Sequence, residues 1–287
     1  MSRIAYVNGR YVPHAEAAVH IEDRGYQFGD GVYEVCEVRD GALIDETRHL
    51  ARLARSLREL RIRRPMSDAA LKVVLRETIR RNRVRDGIVY LQVTRGVARR
   101  DHYFPPESVA PALVVTARSS DRAKVEATAA AGASVITLPE NRWPRVDIKS
   151  IGLLPNVLAK QQARDAGARE AWFVDADGFV TEGGSTNAWI VTAAGAIVTR
   201  PADAGILRGV TRATVFDMAR ELGLTIEERA FSVDEAKAAR EAFITAATTI
   251  VTSVIAIDGA PVGDGAPGPV ARELRRRFHD FAERAGR

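Results

Sequence analysis

Four tight turns constrain this chain more than any other feature. Asn8-Gly9, Asp40-Gly41 and Asp177-Gly178 each separate two β-prone runs, and residues 188–191 and 196–199 bracket a fourth turn. Asn-Gly and Asp-Gly readily supply the left-handed backbone that a two-residue hairpin needs to match strand twist. Antiparallel sheet is therefore expected in both halves of the chain. Helical patterns lie between the hairpins, so the fold class read from sequence is α+β.

In the first half, residues 31–38 read as a strand with Val32, Glu34, Cys36 and Val38 on one face. Thr47 is placed to cap a helix on which Leu50, Leu53, Leu57 and Leu60 recur at spacings of three and four. Ser67 opens a second helix with Leu71, Val74, Leu75 and Ile79 facing inward, and strands at 88–94 and 112–117 follow. The polar run Arg118-Ser119-Ser120-Asp121-Arg122 marks a boundary. At roughly 150 residues per domain, 287 residues predict two: a small α+β domain over 1–120 and a larger one over 121–287. The second carries a strand at 134–138, a helix at 156–166 closed by Gly167, a helix at 211–222 stopped by Gly223, and a last helix after Pro269. Its strand-dense middle predicts a curved or barrel-like sheet.

Composition narrows the function. With 46% apolar and 28% charged residues the chain is globular. Its only cysteine is Cys36, which excludes an intramolecular disulfide and a cysteine-rich zinc site and suits a reducing compartment. The N-terminal residues lack the apolar core of a signal peptide, and no apolar run nears the ~20 residues of a membrane span. A soluble, cytoplasmic protein is expected. The net charge of +5 comes with 42 Lys and Arg, only five of them lysines, interleaved with 37 acids. The clusters Arg61-Ile62-Arg63-Arg64 and Arg275-Arg276-Arg277 fall at predicted helix ends, where cations suit the macrodipole or a solvated face. That placement favours neither a nucleic-acid nor a membrane partner. Five scattered histidines give no metal-ligand spacing, and GxSxG, GxGxxG and Walker patterns are absent.

Lysine is scarce enough for each one to be weighed. Lys72, Lys124, Lys160 and Lys237 have polar surroundings that fit a solvated face. Lys149 sits in Asp147-Ile148-Lys149-Ser150-Ile151-Gly152, whose neighbours predict burial. It is either a nucleophilic amine with a desolvation-lowered pKa or a strand-end lysine with its head in water. Leu207-Arg208-Gly209-Val210-Thr211-Arg212 enters a helix, giving an anion site of free N–H groups or a simple Thr211 cap. Thr181-Glu182-Gly183-Gly184 aims a carboxylate at a ligand or forms a surface turn. Arg95 to Phe104 is a basic loop or a carboxylate clamp.

An amine, a phosphate-type anion site, a carboxylate and a carboxylate clamp are together the parts of a pyridoxal phosphate enzyme. Glu22-Asp23-Arg24-Gly25-Tyr26-Gln27-Phe28-Gly29-Asp30-Gly31-Val32-Tyr33-Glu34-Val35 resembles the opening motif of the D-amino-acid aminotransferases, within the class IV aminotransferases of PLP fold type IV. Asp147-Ile148-Lys149-Ser150, Val180-Thr181-Glu182-Gly183 and Gly209-Val210-Thr211-Arg212 resemble the later motifs, in order. The resemblance implies that family's two-domain fold, with the cofactor between the domains and a homodimer completing the sites. It implies that Lys149 bonds to pyridoxal 5′-phosphate and shuttles the proton, that Glu182 faces the ring nitrogen, and that Arg52, Val210 and Thr211 hold the phosphate. Tyr33, Arg100 and His102 resemble the residues that hold the substrate carboxylate in the D-specific branch. The activity implied is transfer of the amino group between a D-amino acid of the D-alanine type and a 2-oxo acid such as 2-oxoglutarate. The runner-up is another enzyme on this scaffold, a branched-chain L-aminotransferase, aminodeoxychorismate lyase or amine transaminase. A nucleic-acid-binding protein is the third reading. One departure stands out: Thr245-Ala246-Ala247-Thr248-Thr249 replaces a hydroxyl-rich run near the phosphate. Losing one neutral hydrogen bond at Ala247 is worth about 1 kcal/mol and implies weaker cofactor retention.

Overall fold

In the computed structural model, which describes residues 3–203 and 205–286, Asn8 and Gly9 take φ of 45° and 95°. They close the hairpin of β1 (Ile4–Val7) and β2 (Arg10–Pro13). The chain divides into two compact units, and the first holds the residues up to Arg122, the short segment Ile148–Gly152 and the residues from Glu283. Its sheet also contains β3 (Gly31–Arg39), β4 (Ala42–Ile44), β5 (Gly87–Thr94) and β6 (Ala112–Ser119). Strand order is Arg284–Ala285, β4, β3, β5, β6, β1, β2, and every described pair is antiparallel.

Alternation explains which face of this sheet is covered. Val32, Glu34, Cys36 and Val38 of β3 are buried as expected, and Cys36 packs as a small apolar group whose thiol pKa burial pushes up. Against them lie α2 (Glu46–Glu59) with Leu50, Leu53 and Leu57, and α3 (Asp68–Arg81) with Leu71, Val74, Leu75 and Ile79. Ser67 caps α3 as expected, accepting from Ala70 N–H at 3.2 Å. Thr47 does not cap α2. The helix starts two residues earlier, Asp45 holds the N-cap position, and the Thr47 hydroxyl donates instead to Glu283 Oε1 at 2.7 Å. A shorter helix, α1 (Arg24–Phe28), is capped by Asp23 and stopped by left-handed Gly29.

The expected assignment of Lys149 to the second domain needs correction. Ile148 is buried in the first unit's core, Ser150 bridges to Val32, and Ile151 N–H donates to the Gly31 carbonyl at 3.1 Å. The segment therefore runs extended alongside the start of β3, joined to it by one β-bridge. Gly31 permits that approach, because a Cβ there would meet Val93 O at 2.7 Å and Ile151 Cδ1 at 2.9 Å.

The second unit holds Ala123–Asp147 and Leu153–Ala282. Its elements are α4 (Arg122–Ala131), β7 (Ala133–Pro139), α5 (Leu154–Asp165), β8 (Glu170–Val174), β9 (Val180–Gly183), β10 (Asn187–Val191), β11 (Ile197–Thr199), α6 (Val210–Glu221), β12 (Ile226–Glu228), α7 (Val233–Lys237), β13 (Glu241–Ala246), β14 (Ile250–Ile257) and α8 (Pro269–Phe281). The sheet runs β12, β11, β10, β13, β14, β7, β8, β9. Only three residues connect β9 to β10, yet four strands separate them in that order. A flat sheet cannot do this, so the sheet curls into the expected barrel-like form. Trp172, Ile190, Ile244 and Phe231 fill its interior. Outside it, the buried Glu241 carboxylate accepts from Val270 and Ala271 N–H at the start of α8, an anion placed at the positive helix end. No helix among the described residues is long and apolar enough to cross a membrane.

Gly31→Ala is expected to lower stability by about 1–3 kcal/mol through overpacking against the Lys149 segment. Urea unfolding checks this, and an unchanged midpoint would refute the close-approach account.

Candidate active site

The first unit builds half of its site on one buried carboxylate. Glu34, on the covered face of β3, is 1% exposed. Arg52 of α2 donates to it bidentately, Nε to Oε1 at 2.7 Å and Nη2 to Oε2 at 2.8 Å, and His49 Nδ1 lies 2.8 Å from Oε2. Burial alone would raise the Glu34 carboxyl. The Arg52 charge and the hydrogen bonds from Arg52 and His49 outweigh it and bring the pKa down to about 2. Arg52, expected as a phosphate ligand, thus spends two of its nitrogens on Glu34, which fixes where the guanidinium sits.

One turn further along α2, the Ser56 hydroxyl accepts from Lys149 N–H at 3.3 Å, and the Lys149 carbonyl accepts from Tyr33 N–H at 3.1 Å. Lys149 is half-buried, with Nζ 4.2 Å from the Tyr33 ring centroid, a cation–π contact. Lys149 and Tyr33 are therefore brought together beside the helix that carries Arg52. The other four lysines do not behave as one solvated class. Lys72 pairs with Glu46, Lys160 with Glu170 and Lys237 with Asp258.

Arg100 and His102 form a separate group. Both are exposed, and both sit on the Phe28 ring, Arg100 Cζ at 4.9 Å and the His102 ring at 5.5 Å between centroids. Their loop is tethered at two points. Arg24 donates to the Asp101 carbonyl at 2.6 Å, and Arg95 stacks on Phe104 at 3.7 Å. Both arginines share Asp30, whose carboxyl burial would raise but whose bonds to Arg95 and Arg24 lower. The opening motif is thus a frame. Asp23 starts α1, Gly29 stops it, Asp30 anchors the loop and Glu34 anchors α2.

In the second unit, Glu182 is buried within β9, which discards the surface-turn alternative. Its Oε1 accepts from Arg142 Nη1 at 2.6 Å, and its Oε2 from Asn187 Nδ2 at 3.0 Å and Leu207 N–H at 3.1 Å. Arg142 is in turn gripped by Glu140 at 2.6 and 2.8 Å and lies over Phe173. Asn187 also contacts the entry to α6. A Cβ on Gly209 would overlap Asn187 Oδ1, so glycine alone fits the N-cap. Gly209 offers no side-chain cap, and Thr211 lies inside the helix, which rules it out as the cap. The first N–H groups of α6, at Val210 and Thr211, are left for an anion. Within the second unit, a buried carboxylate of fixed orientation and an uncapped helix start entered through Gly209 fit the ring nitrogen and the phosphate of a phosphorylated pyridine cofactor.

Sequence reading missed Arg142, Glu140 and Asn187, which have no periodic signal. The Glu34 partners were findable. A carboxylate on an apolar strand face demands a buried cation, and His49 and Arg52 stand three apart on the next helix.

Comparison with known proteins decides the family. The amino-transferase class IV model matches residues 31–257. The chain belongs to the class IV aminotransferases. It is 45% identical over 268 residues to the D-alanine aminotransferase of Bacillus licheniformis, covering 93% of each. It is 38% identical to that of Staphylococcus aureus (strain MSSA476), covering 97% of each. Among solved structures, the T.th. branched-chain amino acid aminotransferase with pyridoxamine 5′-phosphate superposes with a TM-score of 0.89 at 28% identity, over 98% of this chain and 94% of that one. The expected fold and family are borne out. Because D-alanine and branched-chain enzymes share the scaffold, substrate choice within the class IV aminotransferases lies in particular side chains.

Glu34 carries a pH prediction. Its folded pKa lies below the ordinary 4.5, so its contribution is complete above pH 4.5 and disappears as pH falls toward 2. Glu34→Gln should flatten that acid limb and, by leaving Arg52 buried with a neutral partner, cost about 3–5 kcal/mol at pH 7. Urea midpoints between pH 2 and 7 test both, and an unaltered acid limb would refute the assignment.

Proposed function

We propose that this chain is a pyridoxal 5′-phosphate-dependent D-amino-acid aminotransferase. It moves the amino group from a donor of the D-alanine type to a 2-oxo acid such as 2-oxoglutarate, giving pyruvate and D-glutamate. The observation that carries the reading is the Arg100 and His102 pair, fixed on one aromatic ring in a chain whose close relatives are D-alanine aminotransferases.

The roles follow from chemistry. Pyridoxal phosphate, when bound, supplies an electron sink for the substrate carbanion. Lys149 Nζ is the group that holds the cofactor covalently and that takes the proton from substrate Cα, with the Tyr33 ring keeping Nζ in place. Glu182 would face the ring nitrogen and hold its proton, while Arg142, Asn187 and the Leu207 N–H fix the orientation of the carboxylate. Val210 and Thr211 N–H and the Arg52 guanidinium hold the phosphate. Tyr33, Arg100 and His102 bind the substrate carboxylate, and that clamp selects which hydrogen Lys149 can reach.

We assign the enzyme to the cytoplasm, which suits one free cysteine that is buried and unpaired. We further propose a homodimer. Leu154, Val157 and Leu158 are exposed at i, i+3 and i+4 on one face of α5, and Val19, Ile21 and Tyr26 are exposed on the first unit. Large exposed apolar side chains clustered on one helix face, as on α5, mark an interface. Leu158→Arg should shift the mass measured by light scattering from two chains toward one, and an unshifted two-chain mass would remove α5 from the interface.

The activity is tested by the visible spectrum of the purified enzyme. D-alanine should bleach the cofactor band and 2-oxoglutarate restore it, with L-leucine silent. Lys149→Ala should abolish the cycle. Arg100→Ala should weaken D-alanine by roughly tenfold or more, as expected for losing a charge-assisted hydrogen bond. A response to L-leucine alone would move the chain to the branched-chain enzymes.

A further inference from the structure

The run Arg275-Arg276-Arg277, which reads in sequence as a solvated helix end, lies in the middle of α8 and splits in the fold. Arg276 and Arg277 pair with Glu273 on the outside of the helix. Arg275 turns inward, with its side chain 13% exposed. Its Nη1 donates to the Thr249 carbonyl at 2.6 Å and to the Val251 carbonyl at 2.8 Å, and its Nε to Glu126 Oε2 at 3.0 Å.

Those two carbonyls flank Ile250, which has a φ of 58°. The left-handed region is sterically poor for any residue with a Cβ and worst for a β-branched one. The adjacent Thr249 hydroxyl is buried without a partner. Such a turn persists only where its surroundings over-determine it, and strain of this kind collects at ligand sites.

Strand register shows which site the turn adjoins. Thr245 stands opposite Asn187, the residue that bonds Glu182 and lies against Gly209 at the entry to α6. Ala246 to Ile250, which close the β13–β14 hairpin, are thus at the same sheet end as the carboxylate and the uncapped helix. In this turn the Ala247 and Thr248 N–H groups take no backbone acceptor among the described residues. Ala247 has no hydroxyl to offer an anion.

We infer that Arg275 is a positioning residue for the phosphate of the cofactor. Its grip on two carbonyls holds Ile250 left-handed and so fixes the turn in the conformation that leaves the Ala247 and Thr248 N–H groups for the anion. Backbone donors pinned from α8 thereby replace the hydroxyl missing at position 247. This rests on the pyridoxal phosphate reading and extends it to a residue 26 positions from Thr249 in sequence.

The test separates the phosphate from the ring. Full-length protein stripped of cofactor is titrated with pyridoxal 5′-phosphate and, separately, with pyridoxal, following the visible band. Arg275→Met should weaken pyridoxal 5′-phosphate by roughly tenfold, the scale of one or two lost charge-assisted hydrogen bonds, and leave pyridoxal unchanged. Arg275→Lys keeps the charge but loses the rigid fork and the Nε bond to Glu126 that aim the donor at the two carbonyls, so it should show the same selective loss, and it serves if the methionine variant fails to fold. Adding Ile250→Gly to Arg275→Met should recover part of the affinity, because glycine accepts the left-handed backbone without the clamp. Equal weakening of both ligands, or of neither, overturns the inference alone. A parent protein that develops no band with either ligand overturns the cofactor reading and the inference with it.

Discussion

The Glu34 carboxylate, buried between a strand and a helix, is the constraint on which the first unit's chemistry depends. Taking a carboxylate out of water costs several kcal/mol unless cations and hydrogen bonds replace the lost solvent. Arg52 and His49 do so, and in doing so they pin α2 to β3 at one register. Everything that matters nearby is referenced to that register. Ser56 on α2 takes the Lys149 amide, and Tyr33, next to Glu34, takes the Lys149 carbonyl. The amine is placed by main-chain bonds on both sides, leaving its side chain free to react.

The same device recurs wherever the chain needs a fixed group. Asp30 gathers Arg24 and Arg95 to tether the loop of Arg100 and His102, Arg142 braces Glu182, and Arg275 grips two carbonyls. Arginine suits this work because its planar fork binds two acceptors at once and stays charged when buried. The arginine-rich composition is therefore only partly a surface property. Several of these guanidiniums are internal braces, and charge counting from sequence alone misjudges them.

Hairpin turns and helix stripes were legible in sequence because they depend on local backbone preference and on one apolar face. Asn8-Gly9, the Leu50–Leu57 stripe and the Ser67 cap needed no tertiary information. The curled sheet was legible only as a density of strands, since its closure depends on β9 and β10 being neighbours in sequence but not in the sheet. Thr47 failed as a cap because Glu283, more than two hundred residues away, competes for the helix start. The motifs at Lys149, Glu182 and Gly209 were legible through family resemblance. Their braces were not, because Arg142 and Arg275 act on groups that only folding brings to them.

The path of the chain has a consequence for how the protein is made. Ile148–Gly152 and the strand Arg284–Ala285 belong to the first unit, although the second unit's residues lie between them. A ribosome that has delivered the residues up to Arg122 has supplied neither the segment bearing the amine nor the strand that pairs with β4. The sheet of the first unit must therefore wait, with an open edge, until the second unit's residues have emerged as well. Its assembly is tied to residues that follow the second unit in the chain, and no single cut separates one unit from the other.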